Sequence, residues 1–117
     1  MQPSVAGRQM TAERLDRFTR AWLRCDLDEL REYLTDDVVY SPLTGEVVCG
    51  REAVVRRFAE VLADDGGCEL SFEAAFVAGS FGVARWRLRG CGGAVEGIDV
   101  YGFDGDRIRL KDVYQKA

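Results

Sequence analysis

A chain of 117 residues, 47% hydrophobic and 31% charged, has room for one domain with a core of its own, held without metal or disulfide. Sixteen basic against twenty acidic residues give a net charge of -4 with no basic run longer than two, which argues against a phosphate-tracking surface and a nucleic-acid partner. No histidine is present, so every mechanism built on imidazole is excluded, and acid/base chemistry falls to Asp, Glu, Tyr, Lys or Cys.

Residues 1–10 carry Pro3 and Gly7 without periodicity and read as a flexible tail, leaving a single domain over 11–117. Thr11 then reads as the N-cap of a helix whose apolar stripe is Leu15, Phe18, Trp22 and Cys25. Asp26 caps a second, short helix with Asp28 and Glu29 in its positive first turn and Leu27, Leu30, Tyr33 and Leu34 on its buried side. Thr35-Asp36-Asp37 reads as a turn, Val38-Val39-Tyr40 as a short strand stopped by Pro42, and Thr44-Gly45 as a turn before Val47-Val48. Gly50 opens a third helix with Val54, Val55, Phe58, Val61 and Leu62 on one side, closed by Asp64-Asp65-Gly66-Gly67.

Beyond Gly67 the period becomes two, with strand-like runs at 68–78, 81–89, 94–103 and 107–115. The short connections Gly79-Ser80, Gly90-Cys91-Gly92-Gly93 and Asp104-Gly105-Asp106 predict an antiparallel meander, so the plan is α+β. Cys25, Cys49, Cys68 and Cys91 contain no C-x-x-C pair, which argues against a zinc ribbon or a thioredoxin-type site. With no secretory apolar segment at the start, four free thiols in a cytoplasmic protein are expected. No apolar stretch is long enough to cross a membrane, and no metal site or cofactor is expected.

The informative residues are polar ones standing in apolar register. Strict alternation puts Asp112 on one face with Ile108, Leu110 and Tyr114, and Asp99 with Val95, Gly97, Tyr101 and Phe103. Arg85 shares a face with Phe81, Val83 and Arg87. If the three faces are one, Arg85, Asp99 and Asp112 converge in an apolar space, where an unpaired carboxylate is costly and its retention has a structural or a chemical reason. The alternatives are a bulge that turns these side chains to solvent, or a plain ion pair between Arg85 and Asp112. Trp22, Tyr40, Trp86 and Tyr114 are either core or the lining of a ligand pocket. The pairs Asp36-Asp37 and Asp64-Asp65 sit in turns, where Asp is favoured for local hydrogen bonding.

Asp26-Leu27-Asp28-Glu29-Leu30, Leu34-Thr35-Asp36-Asp37-Val38, Gly50-Arg51-Glu52-Ala53-Val54 and the run from Ile98-Asp99-Val100-Tyr101 to Asp106-Arg107-Ile108 together carry a resemblance. Over 11–117 the chain resembles the nuclear transport factor 2-like superfamily, which includes ketosteroid isomerases, SnoaL-like polyketide cyclases and limonene epoxide hydrolase. The resemblance implies a cone of three N-terminal helices packed on a curved mixed or antiparallel sheet, a cofactor-free site, and a homodimer through the sheet's outward face, here Ile98, Val100, Trp86 and Leu88. Matched residue by residue, the isomerases' oxyanion-binding Asp falls on Asp99, but their oxyanion Tyr falls on Phe18 and their general-base Asp on Ser41. The epoxide hydrolase pattern places its acid on Asp112 and its bridging Arg on Arg85, while its second Asp is Arg87 here.

The resulting expectation is acid/base chemistry on an apolar cyclic or polyketide-like molecule. Asp112 moves the proton, Arg85 orients it, and Asp99 with Tyr40 or Tyr114 binds the oxygen where charge develops. Phe18, Trp22, Tyr40, Phe58, Trp86, Tyr101 and Tyr114 line the site. The rival readings are a non-catalytic binding protein for an apolar metabolite and an assembly module whose cone is filled with side chains.

Overall fold

The computed structural model describes residues 8–116; most of the sequence-predicted tail therefore lies outside the described residues. Met10, assigned to that tail, is buried, and its N–H reaches the Gly105 carbonyl at 3.0 Å. Helix α1, Ala12–Leu23, is capped by the Thr11 hydroxyl, which accepts from the Arg14 N–H at 3.1 Å. Its buried face is Leu15, Phe18, Ala21 and Trp22. A left-handed residue, Cys25, turns the chain into α2, Leu27–Glu32, where the Asp26 carboxylate accepts from the Glu29 N–H. Helix α3, Arg51–Asp64, starts after Gly50, whose φ of 94° needs a residue without Cβ, and buries Val54 and Phe58.

Among the described residues, seven strands follow the chain as β1 (Leu34–Ser41), β2 (Val48–Cys49), β3 (Glu69–Phe72), β4 (Phe76–Ala78), β5 (Phe81–Arg89), β6 (Ala94–Asp104) and β7 (Arg107–Gln115). They form one sheet in the order β2-β1-β7-β6-β5-β3, with β4 also paired to β5. Only the β1 and β7 pairing is parallel, so the sheet is mixed, and β5 to β7 make the expected meander. The run 68–78 is two strands rather than one. It breaks where the Ala75 N–H leaves the ladder for the Asp16 carboxylate of α1, at 2.9 Å. Thr35-Asp36-Asp37 is no turn either. These residues are an irregularity inside β1, whose pairing with β7 shifts between Leu34 and Val39.

The decisive departure from strict alternation is in β7. Gly102 of β6 pairs with Leu110 and Phe103 pairs with Ile108, which leaves Arg109 as an extra residue. One unpaired residue inverts the facing of everything after it. Ile108 is buried against the helices, and beyond the bulge Lys111 and Val113 face inward while Leu110, Asp112 and Tyr114 face out.

The core lies between the helices and the inner face of the sheet. Phe18 is at its centre, meeting Tyr33, Phe58 and Tyr101 edge-on at ring separations of 5.5, 6.4 and 5.9 Å. Cys68 and Cys91 form a disulfide, with Cα atoms 5.4 Å apart, while Cys25 and Cys49 are free and exposed. The expectation of four free thiols is thus corrected, and the expected cytoplasmic location loses one of its premises. Among the described residues no helix is long and apolar enough to cross a membrane.

Candidate active site

The inward positions of β6 are Val95, Gly97, Asp99 and Tyr101, and their partners on β5 are Leu88, Trp86, Ala84 and Gly82. A cavity of about 180 Å³ opens there. Trp22 of α1, Tyr40 of β1 and Trp86 form its walls, Asp99 and Lys111 its polar floor, and Pro42, Leu43, Thr44, Arg57, Asp64 and Asp65 are among the residues at its rim.

Asp99 and Lys111 are 2% and 3% exposed. The Lys111 Nζ is 3.3 Å from Asp99 Oδ2, and the Tyr101 hydroxyl donates to the same oxygen at 3.0 Å. The ammonium also stands 4.4 Å from the Trp22 ring centre, 5.1 Å from Tyr40 and 5.9 Å from Phe58. A buried cation so caged is stabilised by the faces of the rings as well as by its counter-ion. Burial holds the Tyr40 hydroxyl far above the ordinary phenolic range, and the negative Asp99 adds to the effect. Tyr101 is raised in the same way, by burial first and then by Asp99. Both phenols therefore remain protonated, and Tyr101 serves as a donor to Asp99. The buried Trp86 Nε1 has no hydrogen-bond partner among the described residues.

At the rim the Arg57 guanidinium donates to the Thr44 carbonyl at 3.1 Å and ties α3 to the loop after β1. Burial, and then the neighbouring Asp64, raises the Asp65 carboxyl above its ordinary value. No group of three or more His, Cys, Asp or Glu among the described residues could hold a metal ion.

The sequence-derived trio does not converge. Asp99 is on the cavity floor, but Arg85 and Asp112 are on the opposite face of the sheet. Arg85 pairs across the strands with Ile98 and approaches Glu73 and Glu96 at 3.8 and 3.9 Å. Asp112 accepts from the Tyr114 hydroxyl at 2.8 Å, and that bond raises the exposed Tyr114 phenol. The cause is the Arg109 bulge for Asp112 and the parity of β5 for Arg85. Of the aromatic set, Trp22, Tyr40 and Trp86 line the cavity, whereas Phe18, Phe58 and Tyr101 are fully or almost fully buried in the core and Tyr114 is exposed on the outer face. Trp86 and Leu88, expected on the outward face, belong to the inner one. The residue that sequence reasoning missed is Lys111, which strict alternation sends to solvent.

Residues 15–110 match the family model of the SnoaL-like domain. The chain belongs to this family. The SnoaL-like chain is also similar to a nuclear transport factor 2-like protein of unknown function from Mesorhizobium loti, at 27% identity and a TM-score of 0.78, over 91% of this chain and 90% of that one. A steroid delta-isomerase from Pseudomonas aeruginosa has the same fold, at 24% identity and a TM-score of 0.74, covering 91% and 79% of the two chains. So does a candidate polyketide cyclase from Sinorhizobium meliloti, at 18% identity and 0.76, covering 87% and 94%. No functionally curated protein matches the chain. The SnoaL-like domain has the expected α+β architecture of helices against a curved, mixed sheet.

Proposed function

We propose that this SnoaL-like domain is a cofactor-free enzyme that moves a proton on a compact, largely apolar molecule bearing a carbonyl group. The observation that carries this reading is the buried pair of Asp99 and Lys111 on the floor of an open, aromatic-walled cavity. A carboxylate held in a water-poor site beside a fixed cation is placed to take a proton next to a carbonyl, while the cation and a protonated phenol stabilise the oxygen on which charge develops. Asp99 is the base in this reading, and Lys111 and Tyr40 hold the oxygen. It transfers to Asp99 the role that the family resemblance gave to Asp112. A cavity of about 180 Å³ suits one ring or a short chain better than a steroid skeleton.

Hydrogen exchange at the α-carbon of cyclohexanone in D₂O, followed by NMR, tests the reading. Wild-type protein is expected to accelerate exchange at least a hundredfold over buffer, with the gain lost in Asp99→Asn and kept in Asp112→Asn. Saturable binding of the ketone with no exchange above buffer would favour a non-catalytic binding protein instead. We further propose that the outer face of the sheet meets a second copy of the chain. Supporting this are its exposed Phe76, Phe81 and Tyr114, at 73, 55 and 53% exposure, and the family resemblance.

A further inference from the structure

Of the sixteen basic side chains only two are lysines, Lys111 and Lys116, and the remaining fourteen are arginines. One of those two is the cation built into the cavity floor. If the site required only a permanent positive charge opposite Asp99, arginine would supply it, with a fork matched to a carboxylate. Lysine differs in what arginine cannot do. It can give up a proton and present a nucleophilic nitrogen.

The surroundings of Lys111 fit that use. Its Nζ faces Asp99 Oδ2 at 3.3 Å, so the proton has an acceptor in place, and its transfer turns a buried ion pair into two neutral groups. The aromatic walls offer no competing acceptor to the nitrogen, and Tyr40 stands 5.1 Å from it with a hydroxyl that remains protonated.

We infer that Lys111 forms a covalent imine with the carbonyl carbon of a small ketone or aldehyde that carries an α-hydrogen. The inference deepens the function proposed above: it rests on the assignment of Asp99 as the base and replaces oxygen binding by the Lys111 ammonium with covalent capture of the carbonyl carbon. Asp99 takes one proton from the Lys111 ammonium, and the freed amine attacks the carbonyl carbon to form a C–N bond. The C–O bond then breaks, with the proton on Asp99 and the second amine proton leaving with the oxygen as water. The product is a protonated imine beside a carboxylate, so charge and atoms balance and no oxidant or reductant is involved. Asp99 next removes the α-hydrogen, and the electron pair passes into the C=N bond to give an enamine. Reprotonation and hydrolysis restore the lysine.

Acetylacetone is a probe small enough for the cavity. Its imine with a lysine relaxes to a conjugated enaminone that absorbs in the near ultraviolet. In a Lys116→Arg background, Lys111 is the sole side-chain amine. That protein is expected to gain the mass of one acetylacetone less one water, with the adduct mapped by peptide mass to Lys111 and at least tenfold less adduct in Lys111→Arg. Because Lys111→Arg can perturb folding, the same labelling is repeated on protein unfolded in urea, where reaction at Lys111 should drop to the rate of a free amine. No adduct, an adduct confined to the α-amino group, or equal labelling of folded and unfolded protein would overturn the inference. Exchange of cyclohexanone α-hydrogens without an adduct at Lys111 would overturn the imine and leave non-covalent proton transfer standing. An adduct at Lys111 without exchange would uphold the amine's reactivity and remove Asp99 as the base.

Discussion

Asp99 and Lys111 are held by each other, and removing either strands the other in a dry site. Asp99→Asn or Lys111→Met alone is expected to cost about 3–5 kcal/mol in urea unfolding. The double substitution should restore most of that loss, because Asn still accepts from the Tyr101 hydroxyl and Met fills the aromatic cage. Additive losses in the double variant would show that the two charges do not depend on one another. The phenols next to them make a separate prediction about pH. Tyr40 and Tyr101 hold their protons above the ordinary phenolic range, while in the unfolded chain both ionise near the ordinary phenolic value of 10.0. Their contribution to stability is therefore complete below pH 10 and is lost as pH rises from there toward the folded-state values. Each steepens the fall by about 1.4 kcal/mol per pH unit. Tyr40→Phe should flatten the alkaline limb of a stability-against-pH curve by about one such increment, and an unchanged limb would contradict the burial of its hydroxyl. Asp99 was legible as a polar residue in an apolar register because β6 alternates without interruption through that position. Lys111 was not, since nothing local to Arg109 marks it as the extra residue.

The elements themselves were the most legible part. The three helices begin where Thr11, Asp26 and Gly50 place them, since capping and a 3.6-residue apolar stripe are local signals. What alternation could not reveal was the parity of one strand relative to another, which depends on bulges and on which loop joins which edge. The parallel pairing of β1 with β7 is of this kind, as is the disulfide, which closes a 23-residue separation between the entry to β3 and the hairpin tip of β5 and β6. Reduction, or the pair Cys68→Ser and Cys91→Ser, is expected to cost about 3 kcal/mol by freeing that loop in the unfolded chain. An unshifted urea midpoint under reducing conditions would argue that the two sulfurs are not joined in solution. Gly97 tests the wall of the cavity. A Cβ there would collide with the indole of Trp86 and the Tyr114 carbonyl. Gly97→Ala should destabilise by roughly 1–3 kcal/mol and push Trp86 into the cavity, read as a tryptophan fluorescence shift together with weaker ligand binding. Retained binding would mean that Trp86 does not form the wall.

The two faces of the sheet are covered differently. The inner face is occupied by helices and cavity, and among the described residues the outer face has no covering element. Its cross-strand rows are Phe76, Val83, Val100 and Asp112, then Phe81, Gly102, Leu110 and Val39, with Arg85 and Arg87 set against Glu73 and Glu96 alongside. An apolar centre bordered by charges of both signs is self-complementary under a two-fold axis, because each basic residue can meet an acidic one on the other copy. Sequence reasoning found this face through Ile98 and Val100 but assigned Trp86 and Leu88 to it, and their inward turn moves the apolar centre toward Phe76 and Phe81. Sedimentation at micromolar concentration is expected to give twice the 13.0 kDa chain mass. Phe81→Glu combined with Val100→Glu should weaken association at least tenfold by burying two carboxylates against the partner. Since both changes are on the far side of the sheet from Asp99, the dissociated variant should still bind cyclohexanone. Loss of binding on dissociation would instead make the partner a requirement for a formed cavity, and a monomeric wild type would remove the dimer altogether.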